Sequence, residues 1–200
     1  MGVRLLPRNG SCERKTKETT ISASIDLDGV GKTSISTGMP FFDHMLELMF
    51  RHALVDIELK ASGDLQVDSH HTVEDTGLVI GTALEEALGD KKGITRFGAA
   101  LVPMDECLAE VAMDISGRPH LSYTVEVEPE PLGNFEPALA REFFQALSNE
   151  AGITLHIELR RGNGVHHSLE AVFKAVGRAL KQAVSLDLRV KEIPSTKGKI

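Results

Sequence analysis

One short pattern occurs twice in this sequence. His70-His71-Thr72-Val73-Glu74 is followed ninety-six residues later by His166-His167-Ser168-Leu169-Glu170. Each copy opens a run with helical apolar spacing: Val73, Gly77, Ile80, Leu84 and Leu88 in one, Leu169, Phe173, Val176, Leu180 and Val184 in the other. On such a helix the Glu lies four and three residues beyond the two histidines, so all three side chains leave neighbouring positions of the first turn. Adjacent histidines project about 100° apart at 3.6 residues per turn, which suits two metal ions better than one. A single His-His-x-x-Glu is most often a solvated helix start. Two copies at matching places point to a two-metal site.

The elements around the two patterns also repeat. In the first half, strands are expected at Ile21–Leu27, Lys32–Thr37 and Leu54–Ala61, with a short helix at Phe41–Phe50 and the first His-His helix running to about Leu88. In the second half, strands at Leu108–Ile115, Leu121–Val127 and Thr154–Arg160, a helix at Pro137–Glu150 and the second His-His helix follow the same order. Asp114-Ile115-Ser116-Gly117 falls on Asp26-Leu27-Asp28-Gly29, and the drifting offset places insertions in loops. The expected division is residues 1–92, a half-repeat after a short extension, and 93–200, a half-repeat with a phosphate-binding tail, in one compact unit. The expected class is α+β, each half a mostly antiparallel sheet with two helices on one face. The halves would pack helix to helix and bring both His-His helices to a pseudo-twofold axis.

Composition narrows the function. A hydrophobic content of 42% and a charged content of 26% are those of an ordinary soluble protein. No apolar run reaches the roughly 20 residues that span a bilayer, and Met1–Thr20 lacks the apolar core of a secretory signal. Cys12 and Cys107 lie far apart, which suits a reducing cytoplasm and excludes a thiolate cluster. A net charge of −7 argues against general nucleic-acid binding.

Aligning the third strands at an offset of 98 sets Glu142 opposite His44 on the two short helices. The candidate ligands are then His44, His70, His71, Glu74, Glu142, His166, His167 and Glu170. Nitrogen and oxygen donors without sulfur suit Mn, Fe or Co, with Zn also accommodated. Of the other histidines, His120 and His156 fit surface or packing roles, and His52, two turns past His44, fits either a packing or a site role. Lys174 shares the face of Glu170 and His166, Arg96 and Arg118 flank turns, and Ser195-Thr196-Lys197-Gly198 is able to cradle an anion. Together they suggest a phosphate-bearing substrate.

These residues resemble the imidazoleglycerol-phosphate dehydratases of histidine biosynthesis. The matching stretches are Arg14-x-Thr16-x-Glu18-Thr19, Phe41-Phe42-Asp43-His44-Met45-Leu46, both His-His-x-x-Glu segments, Gly93-x-x-Arg96-Phe97-Gly98, Asp114-x-Ser116-Gly117-Arg118-Pro119 and Pro194-Ser195-Thr196-Lys197-Gly198. The resemblance implies duplicated halves like the second domain of ribosomal protein S5, and a cytoplasmic homo-oligomer of 24 subunits built from trimers with manganese at subunit contacts. It implies a hydro-lyase that turns imidazole glycerol phosphate into imidazole acetol phosphate, with two metals binding the imidazole or imidazolate ring. Its ligands carry over to the eight positions above, although many relatives have His where this chain has Glu142. Its substrate contacts match Glu18, His52, Arg96, Arg118, Lys174, Ser195 and Lys197, with Thr196 in the same cradle; Glu18 and His52 are the catalytic candidates for proton transfer. Two other classes share some of these features: a non-catalytic metal-bridged assembly protein, which leaves Glu18 and the basic set unexplained, and a dimetal hydrolase, which needs a water placed for attack.

Overall fold

The computed structural model describes residues 7–200; residues 1–6, within the Met1–Thr20 stretch expected to lack a secretory signal, lie outside the described residues. The first half contains β1 (Asn9–Lys15), β2 (Thr19–Asp26), β3 (Thr33–Ser36), α1 (Pro40–Ala53), β4 (Asp56–Gly63) and α2 (His70–Leu88). The second contains β5 (Phe97–Met104), β6 (Cys107–Asp114), β7 (His120–Thr124), α3 (Leu139–Ala151), β8 (Thr154–Arg161) and α4 (Val165–Val184). Two four-stranded sheets have the same order, β1-β2-β4-β3 and β5-β6-β8-β7. The duplication expected from the sequence is thus present strand by strand. Among the described residues, no helix is long and apolar enough to cross a membrane.

Two expectations are corrected. Each half has a further first strand, β1 or β5, paired antiparallel with the next. The short second strand does not return beside its predecessor: β3 and β7 pair in parallel with β4 and β8, each after a crossover through α1 or α3. The halves do pack helix to helix, each His-His helix against the short helix of the other half. α2 lies against α3 and α4 against α1, contacts that interchange when the halves are exchanged.

Alternation explains the sheets. Ile21, Ala23 and Ile25 on β2, and Cys107, Ala109, Val111 and Met113 on β6, point inward and are buried, while their neighbours face out. The helices fill the space between the sheets around Phe42, Phe143, Phe144 and Phe173, all fully buried. Close approach depends on missing side chains. A Cβ at Gly177 would sit 2.1 Å from the Met49 carbonyl oxygen of α1, and one at Gly98 of β5 would sit 1.9 Å from that of Ala179 on α4. Gly10 of β1 meets Ala83 of α2 in the same way, at 2.0 Å. The backbone contact that fixes each His-His helix against its sheet therefore recurs in both halves.

Candidate active site

Hydrogen bonds at the helix starts aim the histidines. Asp43 accepts from the Thr37 amide at 2.8 Å and the Thr37 hydroxyl at 2.6 Å, which holds the entry to α1 and with it His44. Asp68 accepts from the His70 amide at 2.8 Å, satisfying one of the free donors that begin α2. Asp75, buried on α2, accepts from the Thr19 hydroxyl and, at 2.9 Å, from Arg14. This ties α2 to the β1–β2 turn and so brings Glu18 to the His-His pair.

The structure gathers the candidate ligands into separate groups. The donor atoms of His44, His166 and Glu170 all lie within 4.8 Å of one another. His166 Nε2 stands 3.3 Å from Glu170, and Phe41 packs edge-on against the His166 ring at 5.3 Å. In the first half His70 Nε2 is 3.8 Å from Glu74. His71 presents Nδ1 to Asp64 at 3.1 Å and to Glu18 at 3.8 Å. His167 presents Nδ1 to Glu106 at 3.1 Å and to Asp105 at 3.8 Å, and these three form a second group of metal-capable residues. Glu142 stands outside both groups, 3.1 Å from Arg141 on its own helix.

Local charge follows. Hydrogen bonding to Asp64 raises the pKa of His71, and hydrogen bonding to Glu106 raises that of His167. Burial works to raise the Glu170 pKa, but the Lys174 ammonium, 2.6 Å away, and the charges of His44 and His166 outweigh it, so Glu170 titrates below its ordinary value. In contrast to His71 and His167, His52 has its pKa lowered, by burial first and then by Lys174, Arg178 and Arg51, which favours the neutral ring. It lines a recess of about 530 Å³ with Arg51, Arg178 and Lys181.

The second basic set forms its own recess, of about 780 Å³, lined by Arg96, Arg118 and the 194–200 tail. Arg96 is held by Asp114 at 2.7 Å and by the Pro194 carbonyl at 2.8 Å, and its guanidinium lies 4.7 Å over the Phe97 ring. Within the tail, the Ser195 hydroxyl accepts from the Lys197 amide at 3.2 Å. Ser195, Thr196 and Lys197 therefore do face Arg96 and Arg118. This recess lies far from His166, however. The Arg96 amide bonds the Ala183 carbonyl near the end of α4, while His166 begins that helix, roughly 25 Å away at about 1.5 Å per residue.

Sequence reasoning missed Asp64, Asp105 and Glu106 as partners of the histidines. No spacing signal marks them, because only the β4–α2 loop and the β5–β6 hairpin bring them there.

Fold and site together define a class: duplicated α+β proteins whose paired imidazole and carboxylate clusters sit at helix starts, with a separate basic recess. A family profile described as imidazoleglycerol-phosphate dehydratase matches residues 37–180. The imidazoleglycerol-phosphate dehydratase of Citrifermentans bemidjiense is 53% identical over 195 residues, covering 98% of this chain and 100% of that one. That of Clostridium acetobutylicum is 55% identical over 193 residues, covering 96% and 98%. The crystal structure of the Staphylococcus aureus enzyme matches with a TM-score of 0.81 at 40% identity, over 90% of this chain and 99% of that chain. The crystal structure of the Pyrococcus furiosus protein in complex with (S)-C348 matches with a TM-score of 0.81 at 35% identity, over 94% and 100%. The chain belongs to the imidazoleglycerol-phosphate dehydratase family, whose members are hydro-lyases by name.

Proposed function

We propose that this chain eliminates water from imidazole glycerol phosphate to give imidazole acetol phosphate, a step of histidine biosynthesis. The observation that carries the reading is the convergence of His44, His166 and Glu170 on one point, in a chain whose family carries that activity in its name. The donor set fits a divalent cation: imidazole nitrogens and carboxylate oxygens, with both cysteines elsewhere. His44, His70, His71, Glu74, Glu142, His166, His167 and Glu170 would hold two such ions, manganese by the resemblance. When bound, they supply Lewis acidity toward the substrate's imidazole ring.

The rest of the chemistry falls to the chain's own side chains. Glu18, more than half exposed and 3.8 Å from His71, takes the carbon-bound proton. His52, whose pKa is lowered by burial and nearby cations and which is therefore a readier acid when protonated, passes a proton to the departing hydroxyl so that it leaves as water. Arg96, Arg118, Ser195, Thr196 and Lys197 hold the phosphate, and Lys174 neutralises charge beside Glu170. Binding at that remote group supplies orientation for the reacting carbon atoms.

A substrate of this kind is on the order of 10 Å long at ordinary bond lengths. It cannot reach from His166 to Arg96 of one chain, even with the reach of an arginine side chain. The imidazole and phosphate subsites therefore come from different copies, in a homo-oligomer that the resemblance puts at 24 subunits built from trimers. Manganese-loaded protein supplied with imidazole glycerol phosphate should form an enolisable ketone. Absence of that product, with metal bound and the assembly intact, would refute the reading.

A further inference from the structure

Glu18 and Glu106 occupy one position in the two copies, each directly before the second strand of its half: β2 at Thr19, β6 at Cys107. They do not do the same thing. Glu106 lies 3.1 Å from His167 Nδ1. Glu18 stands back at 3.8 Å from His71 Nδ1, and Asp64 takes that nitrogen at 3.1 Å. Asp64 directly follows β4. The residue directly following β8 is Gly162, which has no side chain to offer and a φ of +94°.

We propose that Glu106 and Asp64 are positioning residues that fix the Nδ1–H tautomer of His167 and His71, and that Asp64 releases Glu18 from the task its counterpart Glu106 still performs. This rests on the reading of both histidines as cation ligands. A neutral imidazole carries one N–H; a carboxylate that accepts it at Nδ1 leaves the Nε2 lone pair free for a cation. The first histidine of each pair differs, since His70 and His166 turn Nε2 toward the Glu of their own helix. An incidental surface contact does not account for the match. An Asp from one loop and a Glu from a different hairpin reach the same nitrogen at the same 3.1 Å, from positions the duplication does not relate.

The test uses ¹⁵N NMR of the histidine rings in the full-length, metal-free protein at a pH where they are neutral, followed by Mn²⁺ titration. His71 and His167 should carry the proton on Nδ1. Glu106→Ala combined with Asp105→Ala, which also removes the carboxylate 3.8 Å from the same nitrogen, should abolish that preference at His167 and weaken Mn²⁺ binding about 10- to 100-fold with unchanged stoichiometry. Glu106→Gln, whose amide oxygen still accepts Nδ1–H, should keep the tautomer and most of the affinity. Asp64→Ala should spare Mn²⁺ affinity more than turnover, because Glu18 then takes over Nδ1. An Nδ1–H tautomer that persists in the double variant would overturn the proposal, as would the loss of a whole equivalent of Mn²⁺, which would make this carboxylate pair a ligand. If the unmodified protein bound no Mn²⁺, the metal reading would fall while the tautomer measurement still decided this one.

Discussion

β1 and β5 are the same strand in two copies, and they differ most on the side turned away from the helices. β1 shows Asn9, Ser11, Glu13 and Lys15 outward, where β5 shows Phe97, Ala99, Leu101 and Pro103. Both edges are protected alike: the Ser11 amide is taken by Glu86 at 2.6 Å and the Ala99 amide by Gln182 at 2.9 Å. The backbone solution is shared, then, and the side chains have diverged. Phe97 and Leu101 are 56% and 60% exposed, and Phe97 lies under Arg96 of the basic recess. An apolar strand beside that recess fits a face that a second copy covers. Duplication lets one half keep a wetted sheet while the other specialises.

The largest effect should come from the divergence at the β1–β2 and β5–β6 turns. Glu18→Gln should lower turnover by about 100-fold or more while Mn²⁺ still binds, the usual scale for a positioned acid or base. Steady-state assays on metal-replete protein measure it, and near-normal turnover would remove Glu18 from the mechanism. Next is the strand face. Phe97→Ser with Leu101→Ser should shift the sedimenting species to smaller units, and Ser11→Ala on the matching face of β1 should leave it unchanged. An unaltered particle in the double variant would show that the apolar face is not what copies bury.

The helix contacts compare more finely. Gly81 and Gly177 correspond in the two His-His helices, but a Cβ would lie 2.1 Å from the Met49 carbonyl oxygen at Gly177, and 2.7 Å from Glu150 Cβ and 3.0 Å from the Leu147 carbonyl oxygen at Gly81. Gly177→Ala should cost about 1–3 kcal/mol through overpacking. Gly81→Ala should cost less, because its contacts are looser while the gain of about 1 kcal/mol in helix propensity is common to both positions. Melting temperatures of the two variants in the same assembly state check the order.

The His-His helices and the alternating central strands were legible because periodicity and residue type carry them, and residue type alone marked the candidate site residues. β1 and β5 were not. The one fully buried position of β1 is Gly10, since α2 lies against its backbone, so the strand has no apolar alternation to read. β5 carries Gly98 and Pro103, which look like loop residues until the edge position explains them. The partnering of β3 with β4 was hidden because it depends on the crossover through α1. Within the site, residue types pointed to ligands, but the separation of His166 from Arg96 along α4 exists only in the fold. That separation turns a list of site residues into an argument for a site shared between copies.

The smallest expected effect is acid sensitivity confined to one half. Asp56 opens β4, and its carboxylate accepts from the Lys32 amide at 2.8 Å and the Val30 amide at 2.7 Å, closing the β2–β3 loop. Those amides, Lys32 first, hold its pKa below the ordinary 3.8. Its counterpart opening β8 is Thr154, whose hydroxyl donates to the Arg118 carbonyl at 3.0 Å and lies 3.1 Å from the Ser116 hydroxyl. A hydroxyl does not titrate in this range. For Asp56 the sign is fixed by linkage: with the folded pKa below the unfolded one, the stabilisation is complete above about pH 4 and is lost as pH falls through the folded value. Amide protection factors at Val30 and Lys32 should therefore drop on acidification below pH 4, while those flanking Thr154 hold. Asp56→Asn should remove the pH dependence of the first loop, and Thr154→Ala should loosen the second equally at every pH. Equal acid sensitivity of both loops would mean that groups elsewhere govern it.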